Sequence, residues 1–315
     1  MRHHRHAPLA ALLAAGLLWG TTVPLAKLAL AGWGPGWLTV ARFALAVPPL
    51  AWAGRRHLRA AATPAVAGWG AAGYGLVIVA QNAGIARTSV SHAALMVGAT
   101  PVLVALLTVV LRRGTVGPRA WSGFAAALAG VGLVAAQPGA GASLAGDALV
   151  LGSLLLSAAF LLTQPGLLAG RDPVAVTAVQ LAAAAVGTVP AALLLDGLPV
   201  ASPGTVPLLA AGGLAVAGTL VPFTLFAYGQ ARVAPQLAGA FLNLEPLVGA
   251  VAGALAFGDP LGPAQLAGGA AILGGLALIV TDESTGTRRR EPVGQPLGRD
   301  SIACSDQLLP SGSRK

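Results

Sequence analysis

From residue 8 to residue 281 the sequence is a succession of apolar stretches parted by short Gly, Pro and Arg breaks. Each is close to the roughly 20 residues a helix needs to cross a bilayer. A soluble chain would have to cover that much hydrocarbon with polar helix faces. Only 9% of the 315 residues are charged, against roughly 25% in soluble domains. Mean hydropathy is +0.77. The chain therefore reads as an all-α polytopic membrane protein whose solvent is the lipid bilayer.

Cutting at the turn and charge breaks gives ten transmembrane helices, at about 8–31, 36–54, 65–86, 90–111, 119–137, 146–166, 174–195, 205–229, 235–257 and 262–281. The start, "MRHHRHAPLAALLAAGLLWG", has the basic head and apolar run of a signal peptide. That run continues to Ala31 without a cleavage site and is taken as the first span. Residues 1–7 form a short N-terminal segment. Residues 282–315, rich in Gly, Pro, Ser and Arg, read as a disordered tail.

A formal charge of +9 invites a nucleic-acid partner until the charges are placed. They lie between apolar segments and in the tail, as topology signals do, and no nucleic-acid face is expected. With the N-terminus inside, sixteen of the nineteen Lys and Arg residues are cytoplasmic and Arg87 alone is outside. Lys27 and Arg42 fall within spans. Both termini are thus expected in the cytoplasm, and the protein in the plasma membrane. Cys304, the single cysteine, excludes an intrachain disulfide.

The chain also repeats itself. An offset of 145 carries Ala86-Arg87 onto Ala231-Arg232, Pro101 onto Pro246, Gly117-Pro118 onto Gly262-Pro263, Gly123 onto Gly268 and Gly130 onto Gly275. An offset of 138 carries Pro35 onto Pro173, Thr39 onto Thr177 and Arg42 onto Gln180. Residues 8–137 and 146–281 then form two repeats of five spans. An odd number of crossings inverts the second against the first, a design of secondary transporters.

The stretches "LLWGTTVPLAKLAL" and "LTVARFALA", the paired "ARTSVSHAALMVGATPVLVALL" and "ARVAPQLAGAFLNLEPLVGAVAG", and the closing "GPRAWSGFAAALAGVGLVAA" and "GPAQLAGGAAILGGLALIV" resemble the drug/metabolite transporter superfamily, in its EamA-like branch. The resemblance covers roughly residues 8–281. It implies a ten-helix inverted-repeat transporter, an exporter of small metabolites such as amino acids or drug-like compounds. Many members carry a Gly-Glu pair before the last helix of each half. Here those places read Arg113-Gly114 and Gly258-Asp259.

Polar residues inside spans are costly, about 2.5–3.5 kcal/mol for a charge at a helix centre, and mark pathways or partners. Glu245 stands in the ninth span where Thr100 stands in the fourth. It can bind an amine-bearing substrate, carry a proton through the cycle, or hydrogen-bond a neighbouring helix. Asn243, two residues away, points elsewhere on that helix. Arg42 can hold a carboxylate or phosphate, pair with Glu245, or reach for the surface. For Lys27, nearer a span end, the surface is expected. Gln81 and Asn82 cannot both face lipid, so one lines the path or bridges helices. Gln180 presents an amide at the repeat position of Arg42. Thr100 can be satisfied by its own helix. Pro101 and Pro246 remove donors in mid-span and are expected to kink their helices. His92 is placed at the outer interface, and Trp19, Trp37, Tyr74 and Tyr228 divide between interfacial anchoring and lining.

There is no GxxxxGK[ST] loop for an ATP-driven pump, no metal-ligand spacing, and "GASLAG" lacks the second glycine of a nucleophile elbow. No cofactor or metal is expected and the chain is not read as an enzyme. The expectation is a secondary active exporter of a small metabolite, coupled to protons or to exchange. A passive facilitator remains the alternative and an integral membrane enzyme a remote one.

Overall fold

The computed structural model describes residues 6–112, 117–136, 143–199, 202–230, 241 and 244–290, and these form helices and short connections without a β-strand. In chain order they are α1 (His6–Gly20), α2 (Thr22–Ala29), α3 (Pro35–Ala53), α4 (Leu58–Ala61), α5 (Pro64–Gly70), α6 (Val77–Ile85), α7 (Val90–Val97) and α8 (Thr100–Arg112). There follow α9 (Pro118–Ala135), α10 (Leu144–Leu168), α11 (Pro173–Asp196), α12 (Thr205–Ala215), α13 (Val221–Gln230), α14 (Leu244–Phe257) and α15 (Pro263–Arg290). Two π-helical turns, π1 (Ala71–Leu76) and π2 (Val216–Leu220), join α5 to α6 and α12 to α13.

Among the described residues five stretches are long and apolar enough to cross a membrane: Ala7–Ala29, Val90–Leu111, Leu144–Gln164, Pro173–Asp196 and Thr205–Phe226. Trp121–Val134, Leu244–Phe257 and Pro263–Leu278 are shorter apolar helices. Large apolar side chains such as Leu45, Trp52, Val186, Leu194 and Leu255 stand exposed on the outside of the bundle. In water this would be an aggregating surface, whereas in lipid it is the solvated one. The molecule is a polytopic helical membrane protein.

Several spans are interrupted, and proline explains where. Pro24 has no N–H to give to Gly20 O, and the helix breaks at Thr21 between α1 and α2. Thr21 and Thr22 turn their hydroxyls onto the carbonyls of Leu18 and Trp19, at 2.7 and 2.6 Å. In the fourth span the chain breaks at Gly98-Ala99. Pro101 was expected to kink a continuous helix, but it lies in the first turn of α8, where a missing N–H costs nothing. Thr100 Oγ1 donates instead to Val97 O, at 2.7 Å. Pro246 is likewise in the first turn of α14.

Helices from the two halves pack antiparallel. Gly36 and Gly54 of the α3 region lie against Ala192 and Ala175 of α11. Ser91 and Gly98 of the α7 region lie against Gly253 and Pro246 of α14. Along α9 and α15, a methyl on Gly130 would stand 2.6 Å from Gly268 O, and one on Gly275 would stand 2.5 Å from Gly123 O. Only glycine permits that approach, and small residues are how helices associate where lipid removes the hydrophobic drive. The π turns begin at Ala71 and Val216, separated by the same 145 residues as the sequence repeat.

The last helix continues past the expected span end at 281, through residues read from sequence as disordered tail, to Arg290.

Candidate substrate site

The helix interruptions converge on one region, and Arg42 and Glu245 are there. Arg42 of α3 is buried. Its Nε donates to Thr219 Oγ1 at 2.9 Å and its Nη2 to Gly218 O at 3.0 Å. The π2 turn makes this acceptor available. In an α-helix Gly218 O would be bonded by the residue four positions on, and that residue is Pro222. With no α-helical donor to claim it, the carbonyl is open to the guanidinium. Gly218 also has no side chain to fend it off: a methyl there would stand 3.2 Å from Nη2. Thr219 Oγ1 donates back along its helix to Leu214 O, at 3.2 Å, which leaves its lone pairs for Arg42. Sequence reasoning missed Thr219 and Gly218. The readable signal was Pro222 four residues after a glycine.

Glu245, in the first turn of α14, is half-buried. Its backbone carbonyl and Val248 face Gly20, at the break between α1 and α2. Arg42 and Glu245 lie close enough to feel each other's charge, yet they form no ion pair within 4 Å. Among the described residues the Glu245 carboxylate accepts no hydrogen bond, and Arg42 Nη1 donates none. The two opposite charges thus face one region with valences unspent.

Aromatic rings wall this region. Trp19 meets Phe223 edge-on at 5.4 Å and Phe226 at 5.2 Å. Tyr74, in π1, meets Phe160 at 4.9 Å, Phe43 at 6.1 Å and Phe223 at 6.5 Å. Trp19 and Tyr74 therefore line the interior. Trp37 belongs to a bundle end, where its Nε1 donates to Gly197 O at 2.9 Å; Tyr228 is exposed.

The other residues singled out from sequence take separate places. Asn82 is buried and donates to Thr39 Oγ1 of α3 at 3.0 Å, while Gln81 is half-buried. Gln180, fully buried, forms a reciprocal amide pair with Gln164 at 2.9 and 3.1 Å. Lys27 is half-buried, and at the span end where the surface was expected it reaches backbone carbonyls. Its Nζ donates to the carbonyls of Ile85 and Thr88 at 2.9 and 2.7 Å, a cation neutralising the C-terminal end of α6. Asn243 lies outside the described residues.

Asp196 and Asp259, both in the second half, cap helices of the first. Asp196 Oδ2 accepts from the N–H groups of Gly36 and Trp37 at 2.8 and 3.0 Å. Asp259 Oδ2 accepts from Ser91 N at 2.8 Å. A pocket of about 260 Å³ opens on α14, α15 and α7, lined by Leu95, Pro246, Ala250, Gln265 and Ile272 among others. It contains neither Arg42 nor Glu245.

The family model of EamA-like transporters matches residues 7–136 and 144–281, two copies that together span most of the sequence. The chain belongs to the EamA-like transporter family. A protein of Streptantibioticus cattleyicolor named a probable terminal-alkyne amino-acid exporter is 28% identical over 290 residues, covering 89% of this chain and 95% of that protein. An uncharacterized transporter of Archaeoglobus fulgidus is 44% identical over 66 residues, which span 21% of this chain and 24% of the archaeal protein's length. A solved crystal structure shares the fold, with a TM-score of 0.62 at 21% identity, covering 91% of this chain and all of that one. This EamA-like protein is thus a membrane transporter of small solutes and not an enzyme.

Proposed function

We infer that this transporter exports a small zwitterionic, amino-acid-like metabolite by alternating access, in exchange for protons. The observation that carries this reading is the Arg42–Glu245 arrangement: two opposite intramembrane charges, within electrostatic reach and unpaired with each other. Holding an uncompensated ion out of water costs several kcal/mol. A ligand with both a carboxylate and an ammonium group offsets that cost at both poles. Arg42 receives the carboxylate through its free Nη1, held on line by Thr219 and Gly218. Glu245 receives the ammonium group, and a proton takes its place on the return half of the cycle. The amino-acid exporter among the relatives supports the choice of substrate class.

The reading includes ten crossings in two inverted halves, with both termini in the cytoplasm and the protein in the plasma membrane. The antiparallel packing of repeat-related helices supports the inversion, since halves of opposite orientation exchange conformations to open to either side. Asn82, Gln81, Gln180, Thr100 and Asn243 belong to the polar path or its supports, Lys27 to its closure, and the helix turns that hold Pro101 and Pro246 to its bending points. The direct test is flux of labelled amino acids in proteoliposomes, with and without an imposed pH gradient. Flux that ignores the gradient would leave a passive facilitator. No flux of any zwitterion would remove the substrate class.

A further inference from the structure

The turn that follows α3 carries basic side chains at Arg55, Arg56, His57 and Arg59, and all four are exposed. It is seated on its neighbour. Gly54 packs on the start of α11, where a methyl on it would stand 2.9 Å from Ala175 N. Arg55 lies over the ring of Trp52, its guanidinium carbon 4.8 Å from the centroid, and its Nη1 donates to Trp52 O at 3.0 Å. The stack fixes the guanidinium plane and leaves Nε and Nη2 to donate outwards.

No carboxylate of the protein answers these charges. Residues 1–146 contain no Asp or Glu, and among the described residues none of the three arginines forms an ion pair. The acids of the second half are committed elsewhere. Asp172, in the turn before α11, accepts from Ala175 N at 2.8 Å. Asp147 accepts from Thr88 Oγ1 at 3.4 Å and stands 3.2 Å from Nε2 of His92, which was expected at the outer interface but is buried. Asp196 and Asp259 hold their caps on α3 and α7.

The lipid side of α3 leads to the same turn. Ala44, Leu45, Pro48, Pro49 and Trp52 are exposed and recur at helical spacing, so they form one stripe. From Leu45 to Trp52 the stripe runs about 10 Å along the helix axis. Leu45 and Trp52, 55% and 70% exposed, stand at its ends with smaller side chains between them. This is a shallow bed for an acyl chain, and it stops where the arginines begin.

We propose that this corner binds one anionic phospholipid, with its phosphate on Arg55, Arg56 and Arg59 and an acyl chain along the α3 stripe. Guanidinium forks match phosphate oxygens two at a time. An indole belongs at the boundary of headgroup and hydrocarbon, which is where Trp52 stands in this arrangement. Continuity with the lipid-facing surface selects a lipid over a free phosphate. Unanswered positive charge selects an anionic headgroup over a zwitterionic one.

The test uses the full chain in a non-ionic detergent and needs no transport substrate. Native mass spectrometry counts the lipid retained on titration with dioleoylphosphatidylglycerol or, at the same concentrations, dioleoylphosphatidylcholine. The first phosphatidylglycerol is expected to be held at least about tenfold more tightly than phosphatidylcholine. R55Q/R56Q/R59Q should bring the two lipids within about twofold of each other. R56Q/R59Q leaves the Arg55–Trp52 stack in place, so it reads the site even where the triple variant aggregates, and it should lose most of the preference. R288Q/R289Q/R290Q removes three charges at the far end of α15 and should keep the preference of the wild type. Excess sn-glycerol 3-phosphate should not displace the bound lipid. A wild type without preference, or a preference that survives in R56Q/R59Q, would overturn the proposal. So would an equal loss in R288Q/R289Q/R290Q, which would mean diffuse charge attraction, or displacement by glycerol phosphate, which would mean that the stripe holds no chain.

Discussion

Arg42 and Thr219 meet across the boundary between the two halves: Nε of a buried guanidinium donates 2.9 Å to a hydroxyl that lies within a π-helical turn. The bond fixes the plane of the guanidinium, so Nη1 has a defined direction. T219V keeps the shape but leaves Nε facing a methyl group. Leaving one buried donor unmet costs about 1–3 kcal/mol, to be read as a lower thermal midpoint in detergent. R42K keeps the charge but replaces the planar fork with a single point-like ammonium, which cannot hold Thr219 and Gly218 and also present two parallel donors to a carboxylate. It is expected to lower amino-acid flux at least about tenfold, roughly 1.4 kcal/mol, with folding intact. Equal flux in R42K would show that charge alone suffices.

Glu245→Gln preserves volume and hydrogen bonding while removing both the charge and the exchangeable proton. It is expected to abolish gradient-driven transport in proteoliposomes, while the protein elutes and melts as the wild type does. A fully active E245Q would return Glu245 to a structural role between α14 and the α1–α2 break.

Asp196 supplies an N-cap across the repeat. α11 begins after Asp172, which bonds Ala175 N at 2.8 Å. The corresponding residue before α3 is Gly34, which has no side chain to offer, and Asp196 from the end of α11 fills its place. D196A should therefore cost about 1–2 kcal/mol of stability, and D172A a similar amount. A D196A variant that melts like the wild type would mean that water caps α3 equally well.

How much of this was legible follows from what each signal depends on. The repeat rested on Gly, Pro and Arg coincidences, and the structure gives them a reason: Gly123 packs with Gly275 and Gly130 with Gly268. Backbone approach has no substitute residue, so it leaves a mark in sequence. The carboxylate in the ninth span was equally visible, because charge in lipid is rare. Partners were harder to see. Thr219 is one hydroxyl among many, selected only because Pro222 leaves a carbonyl free. The roles of Asp147, Asp196 and Asp259 depend on which helix ends meet, and the chain does not state that. His92 misled because a histidine near a span end suits water as well as a buried carboxylate.

The inverted arrangement makes a prediction about sidedness that needs no knowledge of the substrate. Ser202 is exposed in the short connection between α11 and α12, at the end capped by Asp196, and the proposed topology puts it outside. The native Cys304 belongs to the tail and is expected inside. In intact cells a membrane-impermeant maleimide should label S202C in a C304S background. Wild-type Cys304 should react only after permeabilisation. The two sites lie on opposite faces if three crossings separate them, as the span count requires for 205–229, 235–257 and 262–281. Labelling of both from the same side would remove one crossing, and with it the opposite orientation of the halves on which alternating access is argued.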